Sequence, residues 1–508
     1  MEISKNRNRF FGTVFSYLNT FISMAITIFL VPLLLAVCGE SEYSVYKVML
    51  SFASPVAIMN FGIANYVSRG MAQCNQKGEL SDNPRRQRIL GMSLLISGLL
   101  CTVAVIVAVG LYSLIDVIYV NTFSADEMFL AKKLFVILAA NTTINILGNG
   151  FQGCITGNEH FIVSKTIILG KTCLKALCIF VMIVIGCNTV IIAICDLVLS
   201  VLTIVIEFVF IKCSLREKFR FDSFEKTELK IFMLFATAML LQTVINNINN
   251  SMDNVILGAM ISDKAVITMY SSALTIYSAF VGISYTISGI YAPSIVRAVT
   301  AELSNEELTA KAIVPAKFQA IVAVSVCLGF VLFGDNFVIV WIGEKYSQTY
   351  YVVIMLMIPS CLVTVSGIYE AFLDAKLKRL VRSLILLGMA VYNFVVSVVL
   401  IKFVSFWGAA IGTATSLIFG NLIIMNLYSA KISGVSVLKL YKGAFAGIWK
   451  AILLTSVLCV PMKLFLPKTL SWFIVKIVLY VIIYAVSMLL IGVPSKYRKM
   501  VFKKIGKK

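Results

Sequence analysis

The sequence predicts an all-α polytopic membrane protein of about 14 transmembrane helices, built as two six-helix bundles related as repeats plus two C-terminal helices. Three observations predict it. Hydrophobic residues make up 60% of the chain and charged residues 13%, outside the range of soluble domains. Predominantly apolar runs of roughly twenty residues, enough to cross a bilayer, recur from one end to the other. Lysine and arginine are distributed with a strong bias to alternate connections.

The expected spans are 11–37, 43–68, 89–113, 129–155, 162–186, 189–211, 231–258, 266–294, 314–342, 350–373, 383–401, 406–430, 448–466 and 471–493. The first follows a basic start, MEISKNRNRFF (1–11). Its apolar run is too long for a signal-peptide core and no small-residue cleavage site closes it, so it reads as a retained helix. An even number of spans puts both termini on one side. With that side inside, the inner segments hold 33 of the 44 Lys and Arg and the outer ones seven: Lys132, Lys133, Lys264, Lys345, Lys402, Lys463 and Lys468. Lys47, Lys171, Lys175 and Lys476 fall within spans. This is the positive-inside pattern, and it makes both termini cytoplasmic. It also accounts for most of the +20 net charge, so we expect no nucleic-acid partner. The basic tail YRKMVFKKIGKK (497–508) reads as a helix stop resting on anionic lipid.

The largest inner connection lies between the sixth and seventh spans. It divides the chain into an N-terminal six-helix bundle (1–212), a cytoplasmic linker (213–230), a C-terminal six-helix bundle (231–430), and the last two helices with the basic cytoplasmic tail (431–508). A shift of 218 residues aligns 150–211 with 368–429 without a gap and sets IILG (167–170) on ILLG (385–388). Repeats with an even number of helices are parallel, related by an axis along the membrane normal.

The outer loops are short, so no extramembrane domain hosts catalysis and no catalytic residue is expected. Twelve cysteines form no C-x-x-C pair and behave as small hydrophobes. His160 is the single histidine, and neither disulfides, metal nor a cofactor is expected.

Polar residues inside the spans carry the functional signal. Asn141, Asn145, Asn149 and Gln152 share the fourth span, and Asn246 and Asn250 share a face of the seventh with Asp253. Such residues glue helices together routinely, but this many amides per face suits a wet cavity lined for sugars, water or ions. Lys171 and Lys175, four residues apart, share one face of the fifth span. Lys175 lies roughly 20 Å from the inner end at 1.5 Å per residue, beyond the reach of a lysine stem of about 6 Å. An ammonium left in lipid costs at least ~2.5–3.5 kcal/mol. Two solutions are open: an ion pair with Asp196 or Glu207 on the sixth span, or a cationic, water-filled cavity, which is the reading we adopt. The repeat-related positions are Met389 and Asn393, so the charge belongs to the first half. Arg69 and Arg297 close the second and eighth spans on the cytoplasmic side, and Lys47 lies a turn inside the second from the outer face. Asp253, Asp196 and Glu370 are embedded carboxylates, which either bind a coupling ion or pair with lysines.

Several stretches bear a family likeness: PLLLAVCGESEYSVYKVMLSFASPVAIMNFGIANYVSR (32–69), DNVILG (253–258), GIYAPSIVR (289–297) and WGAAIGTATS (407–416). With the fourteen spans, they resemble the polysaccharide-transporter flippases, the lipid-linked oligosaccharide flippases of O-antigen, capsule or exopolysaccharide type. That family sits in the multidrug/oligosaccharidyl-lipid/polysaccharide exporter superfamily. The sixth span reads VIIAICDLV where the repeat pattern of the twelfth would lead one to look for GAAIGTATS, a departure from symmetry. The resemblance implies translocation of an undecaprenyl-diphosphate-linked oligosaccharide from the inner to the outer leaflet of a bacterial cytoplasmic membrane. Alternating access would drive it, for cell-surface polysaccharide biosynthesis. On that reading Lys171, Lys175, Arg69, Arg297 and Lys47 meet the diphosphate. Asn141, Asn145, Asn149, Gln152, Asn246 and Asn250 line the sugar cavity, and Asp253, Asp196 and Glu370 couple to H+ or Na+. The partners would be the lipid-linked oligosaccharide, membrane lipids, and polymerase and glycosyltransferase machinery. An ion-coupled multidrug antiporter of the same superfamily is the rival, although its cavity should be acidic. A membrane-embedded polymerase is a further alternative that lacks the outer loop it would need.

Overall fold

A bilayer offers no partner to a bare N–H or C=O, so each spanning segment must satisfy its backbone internally. The computed structural model, which describes residues 2–60, 62–76, 83–186, 188–221, 240, 243–245, 247–249, 251–376 and 378–493, is helical almost throughout and has no strand among those residues. Ten helices among the described residues are long and apolar enough to cross a membrane: this is an all-α, multi-pass membrane protein. The chain forms two compact units, Met1–Ser271 and Ser272–Lys508.

In the first unit, α1 (Glu2–Ala53) is broken at Gly39, whose φ of 73° is left-handed and costs glycine little. It runs into a 3-10 turn (Ser54–Asn60) and then α2 (Ile63–Gln76). Next come α3 (Pro84–Tyr119), α4 (Ala125–Gly157), α5 (Phe161–Ile185) and α6 (Thr189–Cys213). A helical stretch over 251–260 (α7) precedes α8 (Lys264–Thr300), within which the two units divide. Caps fix the starts. Ser124 and Glu127 form a reciprocal capping box at α4, and Asn188 accepts from the Ile191 N–H at α6. The buried core gathers Val45, Met49, Phe52, Val67, Tyr119, Phe135 and Ile155. There the Phe52 ring meets Tyr119 edge-on and Phe135 tilted, each at 5.6 Å.

Close approach rests on glycine. A Cβ on Gly153 would lie 2.5 Å from the Ala64 carbonyl oxygen, and one on Gly157 2.7 Å from that of Ser68. The small-x-x-x-small pair on α4 thus lets α2 pack backbone to backbone.

The second unit continues with α9 (Asn305–Ile342), α10 (Thr349–Val365), α11 (Ile368–Ala375), α12 (Arg379–Val404) and α13 (Trp407–Ser416). A π-helical segment (Leu417–Met425) leads into α14 (Asn426–Ser433), followed by α15 (Val437–Phe445), α16 (Ile448–Phe465) and α17 (Leu470–Ser487). The WGAAIG motif has a packing role: Cβ atoms on Gly408 and Gly412 would sit 2.3 Å from the Ile401 nitrogen and from Ser397 Oγ respectively, so α13 lies directly on α12. Tyr480 and Tyr484 of α17 donate to the Ser325 and Ile321 carbonyls of α9, each at 2.6 Å.

Eleven of the expected spans coincide with one of these helices or with consecutive helical segments. Two are broken. The 43–68 span is interrupted by the 3-10 turn, where Pro55 supplies no N–H and Gly62 follows at φ 65°. The 350–373 span divides at Ser366–Gly367 between α10 and α11, with the Ser366 hydroxyl turned back onto the Val363 carbonyl at 2.9 Å. Most of 231–258 lies outside the described residues. Short α15, with buried Leu440 and exposed Leu438, stands where the sequence suggests a connection.

Candidate functional site

The first unit carries a polar seam through its membrane helices, and its centre is a ladder between α5 and α6. Lys175 Nζ meets Asp196 Oδ2 at 3.0 Å, and Lys171 Nζ donates to Ser200 Oγ at 2.7 Å. Two donors four residues apart on one helix face two acceptors four residues apart on the antiparallel neighbour. Helix α4 closes the third side. Asn141 Nδ2 donates to the same Asp196 oxygen at 3.1 Å, and Asn145 Nδ2 donates to the Asn141 carbonyl at 2.7 Å and its side-chain oxygen at 3.1 Å. Ser200 in turn donates to the Asp196 carbonyl at 2.9 Å.

This corrects one expectation. Lys175, the deepest cation, is held by a carboxylate rather than aimed into a cavity. The physical reason is the cost of an unpaired ammonium in a low dielectric. The surplus positive charge lies with its neighbours. Lys171 has a neutral hydroxyl for a partner. Lys47 of α1, within electrostatic reach of Lys175, sits 5.5 Å from the centroid of the Tyr43 ring and makes no ion pair among the described residues. Glu207 of α6 is buried, interacts with Lys171 electrostatically and does not touch it. Among these five groups three ammoniums stand against two carboxylates; Glu42 of α1 is engaged at the start of α6, accepting from the Thr189 N–H at 3.2 Å and its hydroxyl at 3.3 Å.

Other predicted residues separate from this centre. Asn149 Nδ2 donates to Asn60 Oδ1 at 2.8 Å, joining α4 to the 3-10 turn, and Gln152 is half-buried one turn on. Arg69 is exposed on α2. Asn246, Asn250 and the Arg297 side chain lie outside the described residues. Asp253 is buried and accepts from the Tyr270 hydroxyl at 2.7 Å. Beside it Asn254 donates to Ser51 Oγ at 3.1 Å and accepts from Ser271 at 3.0 Å. In the second unit Glu370 is paired with Arg382 at 2.6 Å, at the edge of a small polar cavity that also takes in Tyr285, Asn421, Asn426 and Ser429.

Sequence reasoning missed Ser200, although its spacing from Asp196 mirrors that of Lys171 from Lys175. It also missed a buried cluster at the start of α3. Arg86 donates to Asn75 Oδ1 at 2.5 Å and Asn158 Oδ1 at 2.7 Å and forms an ion pair with Glu217, in the segment after α6. Among the described residues no group of three His, Cys, Asp or Glu side chains could hold a metal.

A bundle of long apolar helices with a half-buried, charged seam is the architecture of a membrane transporter, and the comparisons give its family. The polysaccharide biosynthesis protein family matches residues 11–300, more than half of the chain, and the protein belongs to it. No curated protein sequence matches significantly. Among solved structures the chain is similar to the lipid II flippase MurJ in an inward closed conformation, with a TM-score of 0.69, 17% identity, and coverage of 96% of this chain and 99% of that one. It is also similar to an inward-facing multidrug resistance MATE family transporter of the MOP superfamily (TM-score 0.65, 14% identity, 82% and 96% covered). A eukaryotic MATE transporter, AtDTX14, follows (0.56, 13%, 87% and 99%). At these identities the likeness is one of fold: the protein has the MOP-type transporter and flippase fold.

Proposed function

We propose that this protein is a flippase that moves an undecaprenyl-diphosphate-linked oligosaccharide from the inner to the outer leaflet of a bacterial cytoplasmic membrane, by alternating access, for cell-surface polysaccharide biosynthesis. The observation that carries this reading is the formal positive surplus of the group formed by Lys47, Lys171, Lys175, Asp196 and Glu207. Among the described residues Lys171 and Lys47 have no carboxylate at contact distance, and a diphosphate is the lipid-borne group such charge would attract. The amides of Asn141 and Asn145 and the hydroxyl of Ser200 offer hydrogen bonds of the kind sugars use. Arg69 and Arg297 would gather the head group at the cytoplasmic mouth. Asp196, released from Lys175 when the diphosphate arrives, and buried Asp253 are the candidates for coupling to H+ or Na+. Glu370, already closed by Arg382, is a weaker one. The two bundles would rock against each other with both termini cytoplasmic, alongside polymerase and glycosyltransferase machinery. The MATE-like fold also admits a drug antiporter, but a seam of surplus positive charge repels the organic cations such a pump exports.

The test is lipid extraction from a deletion strain complemented with wild type or with Lys171→Ala/Lys175→Ala. Polyprenyl-diphosphate-linked repeat units should build up on the inner leaflet and be cleared by wild type alone. If none builds up without the gene, the substrate assignment fails.

A further inference from the structure

A second group of charges, in the second unit, is unrelated to the seam. Of the seven lysines that the sequence places on the outer side, two converge on one carboxylate. Lys468 Nζ lies 3.0 Å from Asp335 Oδ2 and Lys463 Nζ 3.7 Å from Asp335 Oδ1. Lys476 of α17, one of the lysines within spans, is 1% exposed and donates to the Leu466 and Pro467 carbonyls at 3.1 Å each. It interacts electrostatically with Asp335, Lys463 and Lys468 alike. Carbonyls satisfy an ammonium's protons without cancelling its charge, so three cations face one anion. The next residue of α9, Asn336, is 2% exposed, and neither of its side-chain polar atoms has a hydrogen-bond partner among the described residues. Thr469 begins α17 without a side-chain cap, which adds the positive end of that helix to the field.

The surroundings are apolar and outward-facing. Leu464 is 71% exposed, Phe465 82% and Leu470 59%, and Trp472, also exposed, is a residue type that settles at the head-group level. We propose that the α16–α17 hairpin and the end of α9 form a site for the phosphate of an anionic membrane lipid, held by Lys463 and Lys468 with the buried charge of Lys476 behind them, and with its chains along the exposed apolar shoulder. The site goes beyond the flippase reading and rests on it only for the leaflet. A formal surplus of two positive charges matches a phosphate group, and the shoulder favours a lipid over a free ion.

The full chain, purified in neutral detergent, is examined by native mass spectrometry with phosphatidylglycerol, undecaprenyl diphosphate or inorganic diphosphate. Wild type is compared with Lys463→Gln/Lys468→Gln, with Lys463→Arg/Lys468→Arg, and with Lys402→Gln as a control on the same side. The glutamine pair should lose lipid adducts by roughly tenfold or more, while the arginine pair and the control keep them. Dependence seen with phosphatidylglycerol supports a resident phospholipid, and dependence seen only with undecaprenyl diphosphate supports the transported lipid class. Equal adducts in wild type and the glutamine pair overturn the site. Lysine-dependent binding of inorganic diphosphate with lipid adducts unchanged overturns the lipid assignment. The arginine pair separates lost charge from lost folding, and none of these outcomes depends on flipping.

Discussion

Charge within the first unit is shared unequally among three lysines, and that division governs what each can do. Lys175 is committed to Asp196, so removing the carboxylate strands an ammonium. Asp196→Asn should lower stability by about 2 kcal/mol, less than for a fully buried pair because the lysine is partly exposed, and Lys175→Met/Asp196→Asn should recover most of it. Thermal unfolding in detergent reads this directly, and an unchanged Asp196→Asn would show the pair to be incidental. Lys171 is different. Ser200 keeps its bond to the Asp196 carbonyl without it, so Lys171→Ala should fold normally yet bind a polyprenyl diphosphate roughly tenfold more weakly, the loss of one charge-assisted contact. Much of this was legible: the spacing of Lys171 and Lys175, their depth, and Asp196 as a possible partner. Which partner wins was not, because periodicity places residues on a face without fixing the rotation of one helix against another. Ser200 gave no signal, since serine is common in membrane helices.

At the scale of the helix, apolar length carried most of the reading. Hydropathy located the spans because lipid forces the backbone into helices. It could not show that Pro55 and Gly62 would divide one span, or that α15 would form between two. The glycines of WGAAIG looked like a family signature, and the close approach of α13 to α12 supplies the physics. The same logic applies to α4. Gly153→Val should push α2 away and cost about 1–3 kcal/mol, seen as a lower melting temperature with helix content retained. A variant as stable as wild type would mean that α2 yields freely. Gly39→Ala tests the break in α1: with φ at 73° and ψ at 174°, alanine should cost about 1–3 kcal/mol, read as a lower melting temperature in detergent.

For the whole molecule, composition and charge asymmetry predicted the membrane class, and the similarity to MOP-type structures agrees with it. The substrate was not legible in composition at all and entered through the family motifs. Sidedness has its own test. Cys213 is exposed at the end of α6, on the side assigned as cytoplasmic. In a variant keeping it as the sole cysteine, an impermeant maleimide should label inverted vesicles and spare intact cells, and the opposite pattern would reverse the topology. The central claim is tested most directly in proteoliposomes loaded with a fluorescent undecaprenyl-diphosphate-linked oligosaccharide, by the fraction of inner-leaflet lipid that becomes accessible to an external quencher. Wild type should raise that rate well above protein-free vesicles, and Lys171→Ala/Lys175→Ala should remove most of the gain. A wild-type rate equal to that of empty vesicles, with proton-driven export of a cationic dye by the same preparation, would contradict the flippase account.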